Sequence, residues 1–311
     1  MPTINKQTAK PAGNGPAPKP APRGGILGKA VSVSELPVAP LKLLLYGGNR
    51  VGKTTLACQF PKPLLLVSFE PMVSGGAESV RGIAGVDFLK EGVDFPGSVG
   101  AVELARELAS DTRYETVVVD GATSLQDMVL RELLALDEQP VQMSFGTVQG
   151  DQYRYRSEKT RELLWQFLKL RKDIIVLAKE KDHNPPKEER VSEKTGKVQP
   201  DMRAKFLRGM QQDSYVAAEL GSSTTGWLQD CCDWIVRMYV DKEVEATTTN
   251  MGGKEFTSYW ETGKFARCLR LGYHPNYAAG SRSSNPEGVP EMVTAATPAK
   301  LYAELMKVVR K

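Results

Sequence analysis

Eight residues constrain this chain more than any others: Gly47-Gly48-Asn49-Arg50-Val51-Gly52-Lys53-Thr54. They satisfy G-x-x-x-x-G-K-[ST], directly after the apolar run Leu41-Lys42-Leu43-Leu44-Leu45-Tyr46 and directly before a helical start, Thr55-Leu56-Ala57. A strand that ends in such a loop and feeds a helix turns backbone N–H groups and a helix N-terminus toward an anion. Lys53 then reaches the β- and γ-phosphates of a nucleotide, and the Thr54 hydroxyl reaches a Mg²⁺ ion. Gly47 to Thr55 is the expected nucleotide-binding segment.

The rest of the chain has to supply a fold that can hold this loop. Further short apolar runs follow at Pro63–Phe69, Glu115–Asp120, Asp173–Ala178 and Asp233–Val240. Helical patterns lie between them: Val102, Leu104, Ala105 and Leu108; then Leu125, Val129, Leu133 and Leu136; then Ser157 to Arg171. Apolar strands alternating with amphipathic helices predict an α/β fold with a mainly parallel sheet flanked by helices. In the final third, Phe256–Glu261 and Lys264–Leu271 flank Thr262-Gly263 and predict a β-hairpin, and Thr297-Pro298 opens a last helix with a capping hydroxyl. The expected organisation is a tail, 1–38, a core, 39–245, and a β-hairpin and helix extension, 246–311, packed on that core.

Composition narrows the classes. Of 311 residues, 41% are hydrophobic and 25% charged, enough for a real core. No apolar run approaches a membrane span, so no membrane association is expected. Four cysteines without a C-x-x-C pair argue against a disulfide framework or a zinc site and suit a reducing cytoplasm. His183 and His274 have no ligand spacing. The net charge of +4 is misleading, because residues 1–34 hold Lys6, Lys10, Lys19, Arg23 and Lys29 and no acid, leaving the remainder at −1. That Pro- and Ala-rich tail is expected to be disordered, as a solubilising arm or an electrostatic tether.

Asp120 closes the β-branched run Thr116-Val117-Val118-Val119, which presents a carboxylate at the sheet's C-terminal edge for the Mg²⁺ shell. The residue after it is Gly121 and not an acid, so the carboxylate that directs water must come from elsewhere. Glu70, just past the second apolar run, is the best placed.

A loop of the form Tyr-Gly-x-x-x-x-Gly-Lys-Thr-Thr-Leu-Ala-x-Gln-Phe (Tyr46 to Phe60), a glutamate closing strand two and Asp120 closing strand three together resemble the RecA-like P-loop ATPase core. More narrowly, they are similar to compact phage-encoded members linked to single-strand annealing and recombination. The resemblance implies ATP and Mg²⁺ as ligands, ATP hydrolysis, a homo-oligomer with ATP at its interface, single-stranded DNA as partner, and a prokaryotic or phage-infected cytoplasm. It also implies a polar sensor at the end of the fourth strand, where Lys179 stands, and a cation from a neighbour, for which Arg270 and Arg282 are candidates.

By the same resemblance, nucleic acid would meet loops after the third and fourth sheet segments. Gln139 to Ser157 interleaves Phe145, Tyr153, Arg154, Tyr155 and Arg156, a pattern that can stack bases and pair phosphates. Lys179 to Arg208 has nine basic residues against six acids. Two other functions share the loop: a small-molecule or nucleotide kinase with Lys179 to Arg208 as a lid, and a nucleotide-gated assembly factor with little turnover.

Overall fold

Each apolar run forms a strand. The structure, a computed structural model, describes residues 29–32, 35, 37–71, 76–134, 150–183, 189–191, 198–200, 215–251, 254–274, 276–282 and 286–310. The chain divides into two units, Met1–Ala39 and Pro40–Lys311, and every element below belongs to the second. The tail expected to be disordered lies almost wholly outside the described residues.

The strands are β1 Lys42–Gly47, β2 Leu64–Ser68, β3 Val86–Lys90, β4 Thr116–Asp120, β5 Asp173–His183, β6 Glu189–Val191, β7 Val198–Pro200, β8 Tyr215–Ala218, β9 Trp234–Met251, β10 Lys254–Arg270, β11 Gly280–Ser281 and β12 Met292–Ala295. The helices are α1 Lys53–Ala57, α2 Gly97–Ser110, α3 Ala122–Leu133, α4 Gly150–Leu168, α5 Ser222–Cys231 and α6 Pro298–Val309.

Among the described residues the main sheet runs β12-β10-β9-β1-β5-β4-β2-β3, with β11 on β9 and β8 on β5. From β9 to β3 all neighbours are parallel, and the β10, β12, β11 and β8 pairings are antiparallel. The fold is the α/β arrangement expected from the sequence.

Strand side chains alternate between faces, so each apolar run feeds two cores. Leu44, Tyr46, Val67, Val119 and Val176 join the core under α2, α3, α4 and α5, whereas Leu43, Leu45, Leu66, Val118 and Leu177 join that under α1 and α6. This burial on both faces is why β1, β2 and β4 read as unbroken apolar runs. β3 escaped notice in the sequence because it is the edge strand and only Lys90 in it is buried. α6 starts as expected: the Thr297 hydroxyl accepts from Lys300 N, Pro298 occupies the first turn, and Leu301 and Leu305 are buried.

Two expectations change. Residues 254–270 form one strand, with a register shift between Glu261 and Phe265, so Thr262-Gly263 is an irregularity inside β10 and not the hairpin turn. Met251 is paired with Lys254, which puts the reversal between them, and the boundary expected at 245 falls inside β9. The third helix starts at Gly150, seven residues before the expected Ser157, so Tyr153 to Arg156 lie on α4 and not on a loop. Phe145 and Leu136 lie outside the described residues, as do most of residues 184–208. Among the described residues no helix is long and apolar enough to cross a membrane.

Candidate functional site

The parallel strands end together, and their register aligns the functional side chains. One row runs Val236, Leu45, Leu177, Asp120, Ser68, Lys90 across six strands. Two residues further on, Gly47 stands between Met238 and Lys179. The loop leaves β1 at this edge, outside the carboxyl ends of the strands where open α/β sheets place ligands.

Arg50 and Gly52 take left-handed backbone angles, φ 62° and 103°, and α1 starts at Lys53. The Lys53 ammonium donates to the carbonyls of Gly47 at 2.8 Å and Gly48 at 2.7 Å. Burial lowers its pKa, and Asp120, Glu180 and Glu70 oppose that shift. The Thr54 hydroxyl donates to Asp120 Oδ2 at 3.0 Å. Asp120 is nearly inaccessible, and burial, helped by the nearby Glu70 carboxylate, raises its pKa to about 6 against the opposing Thr54 bond and the charges of Lys53 and Lys179.

Magnesium fits here. A hydroxyl and a carboxylate at 3.0 Å are a hard oxygen pair of the kind Mg²⁺ takes. The backbone of Gly76 passes so close that a Cβ there would lie 2.6 Å from Asp120 Oδ2 and 3.1 Å from Thr54 Oγ1. Only glycine leaves that pair open.

Glu70 joins the same cluster from β2. Its Oε2 lies 3.8 Å from Lys179 Nζ, and its Oε1 is 3.0 Å from where a Cβ on Gly121 would stand. Gly121 has φ 95°. The residue after Asp120 is therefore glycine for two reasons: its backbone is left-handed, and Glu70 packs against it. Glu70 is itself anchored, since the buried Lys90 ammonium donates to its carbonyl at 2.5 Å.

On the other face of the loop strand, Arg237 donates to Glu180 Oε2 at 2.9 Å and stacks over Tyr277 at 4.3 Å, while Glu180 Oε1 lies 3.3 Å from a Cβ built on Gly48. Of the expected residues, the structure brings together Lys53, Thr54, Glu70, Asp120 and Lys179. It does not bring Arg282 or Arg270 to the loop of their own chain. Arg282 pairs its backbone with Asp233, beside Lys42 at the start of β1, about 16 Å from Gly47 at strand spacing. Arg270 is tied to Glu291 and lies 5.3 Å over Tyr277.

Tyr153 and Tyr155 are partly exposed on the first turns of α4, at the end where the strands finish. Arg154 is paired with Glu158 at 2.9 Å, and Arg156 lies 5.0 Å over the Tyr153 ring. His274 caps a turn, accepting from Asn276 N at 3.1 Å. The sequence reading missed Gly76, Lys90 and the Glu180–Arg237 pair. Gly121 was noted only for the acid it lacks.

A phosphate loop on the central strand, an acid closing β4 and the β9-β1-β5-β4-β2-β3 parallel order define a RecA-like P-loop nucleotide-binding ATPase core. An AAA domain family model matches residues 39–283, and the chain belongs to that family. Among solved structures it is similar to the flagellar accessory protein FlaH from Methanocaldococcus jannaschii, at 9% identity over 83% of this chain and 85% of that one, with a TM-score of 0.34. No curated protein matches the chain.

Proposed function

We propose that the chain is a Mg²⁺-dependent ATPase that works as a homo-oligomer on single-stranded DNA, in phage or prokaryotic recombination or replication. The observation that carries the hydrolytic part is the meeting of Glu70 and Lys179 beside the Thr54–Asp120 pair. Main-chain N–H groups of Gly48 to Thr54 bind the β- and γ-phosphates, and Lys53 leaves its loop carbonyls to neutralise them. Thr54 and Asp120 would hold Mg²⁺, which supplies positive charge to the phosphate oxygens. Glu70, fixed below by Lys90 and at the side by Gly121, orients the attacking water and takes its proton. Lys179 stands where it can neutralise the same carboxylate or the departing phosphate.

The assembly part rests on placement. Arg282 is exposed at the end of the sheet remote from the loop, with its guanidinium on the Asp230 carbonyl. Head-to-tail stacking would carry that end to the nucleotide edge of the next subunit and make Arg282 a trans cation. The partly exposed Tyr153, Tyr155 and Arg154 sit at the nucleotide edge and can stack bases and meet phosphates.

The test is Glu70→Gln: turnover should fall at least a hundredfold while ATP affinity stays. Unchanged turnover refutes the role of Glu70. DNA coupling fails if ATPase rate and sedimentation are indifferent to single-stranded DNA at low salt.

A further inference from the structure

β10 brings a cation to the phosphate loop from outside the cluster described above. Arg267 Nε lies 3.3 Å from where a Cβ on Gly52 would stand, and its Cδ 3.9 Å. One terminal nitrogen makes a long bond to the Ala296 carbonyl, 3.3 Å. Nε is buried, and among the described residues no acceptor meets it. A buried guanidinium N–H without a partner is costly, and the acceptor that suits it beside a phosphate loop is an oxygen of the bound ligand.

Two apolar side chains share the face of Arg267. Val240 is paired with Arg267 and Phe265 with Lys242, so alternation puts Val240, Phe265 and Arg267 on the side where Met238 and Leu269 join the core under α1. Unlike those two, Phe265 is 66% exposed and Val240 43% exposed. An uncovered aromatic ring thus stands two residue pairs beyond the arginine that touches the loop, on the same face.

We propose that Val240, Phe265 and Arg267 form the nucleoside side of the site: Arg267 binds the phosphate nearest the sugar, and the base lies on Phe265 and Val240. This rests on the reading that Gly47 to Thr54 binds a nucleoside triphosphate. A planar base covers the exposed ring, and the phosphate supplies the acceptor that Arg267 Nε lacks.

The experiment is calorimetric titration with ATP and with inorganic tripolyphosphate, both with Mg²⁺. Phe265→Ala should weaken ATP about tenfold, the usual scale of one base stack, and leave tripolyphosphate unchanged. Arg267→Met should weaken both ligands. Phe265 is exposed, so its loss leaves the fold intact, which an unchanged Tm confirms. The proposal is overturned if Phe265→Ala binds ATP like the wild type or weakens both ligands equally. Lys53→Ala separates the two readings: loss of both ligands supports the loop assignment, whereas full ATP affinity refutes that assignment whatever Phe265→Ala does.

Discussion

Replacing Asp120 with Asn should stabilise the protein and disable it, and the size of the gain follows from the site. In the native state burial holds the Asp120 pKa at about 6, against 3.8 for a free carboxyl. Between those two values the folded chain binds more protons than the unfolded one, so stability falls as pH rises through the window and levels off above it. Two pH units correspond to about 3 kcal/mol, the cost at pH 7.5 of keeping this charge in an almost inaccessible place where Lys53 and Lys179 offset it only in part. Asn has the same shape, and its carbonyl still accepts from the Thr54 hydroxyl. The variant should therefore melt about 6 °C higher at pH 7.5, at about 2 °C per kcal/mol for a unit of this size. At pH 5 much of the native Asp120 is already protonated, and about half of the gain should remain. Differential scanning calorimetry of both proteins at the two pH values measures this. Adding Mg²⁺ with nucleotide should raise the Tm of the wild type and do little for Asp120→Asn. A variant no more stable than the wild type at pH 7.5, or a gain equal at both pH values, would refute the argument that Thr54, Lys53 and Lys179 leave the burial of this charge partly uncompensated.

Four further outcomes follow from the same geometry. Gly76→Ala places a methyl group 2.6 Å from Asp120 Oδ2, so Mg²⁺ should lose at least tenfold of its effect on nucleotide affinity, with Mg²⁺-free binding retained in titration. Gly121→Ala must hold φ 95° at a cost of about 1–2 kcal/mol and crowd Glu70, so steady-state kinetics should show kcat falling with KM for ATP little changed. Lys90→Met removes the donor from the Glu70 carbonyl; kcat should drop about tenfold or more, and Lys90→Arg should restore part of it. Leu305→Ala hollows the core under α6, far from the chemistry, and should cost about 2–5 kcal/mol in denaturant unfolding with nucleotide affinity unaltered.

The parts of the site legible in the sequence are those that short-range rules determine. The loop needs glycines at fixed spacing after a strand, and Asp120 and Lys179 follow directly from apolar runs whose ends mark the sheet edge. Glu70 was reachable for the same reason. What failed was parity and partnership across the chain. Arg267 and Arg270 are three residues apart on one strand, so they point to opposite faces, and only the pairing of β10 with β9 decides which of them touches the loop. The turn chemistry of Thr262-Gly263 is locally sound, yet the longer β9 continues past it to Met251 and makes it an irregularity. Lys90 went unread with the rest of β3, because nothing local says that its ammonium meets a carbonyl twenty residues away.

Backbone conformation also explains why this site draws its second carboxylate from β2. Ser68 is opposite Asp120, and both precede loops at the same level of the sheet. Asp120 faces α1, where Thr54 waits, and the residue directly after it is the left-handed cap, φ 95°, from which α3 starts. A glutamate at 121 would have to hold that left-handed backbone, and its Cβ would stand 3.0 Å from Glu70 Oε1, in the space that Glu70 uses. Glu70, two residues past Ser68, returns to the face of Asp120 and reaches the cluster from the neighbouring strand. The arrangement sets two carboxylates close together, which is one reason the Asp120 pKa is high. It also explains the cations around them: Lys53 and Lys179 offset the charge directly, and Lys90 fixes the backbone that carries Glu70. The missing acid after Asp120 and the buried lysine on β3 are thus two consequences of one choice of strand.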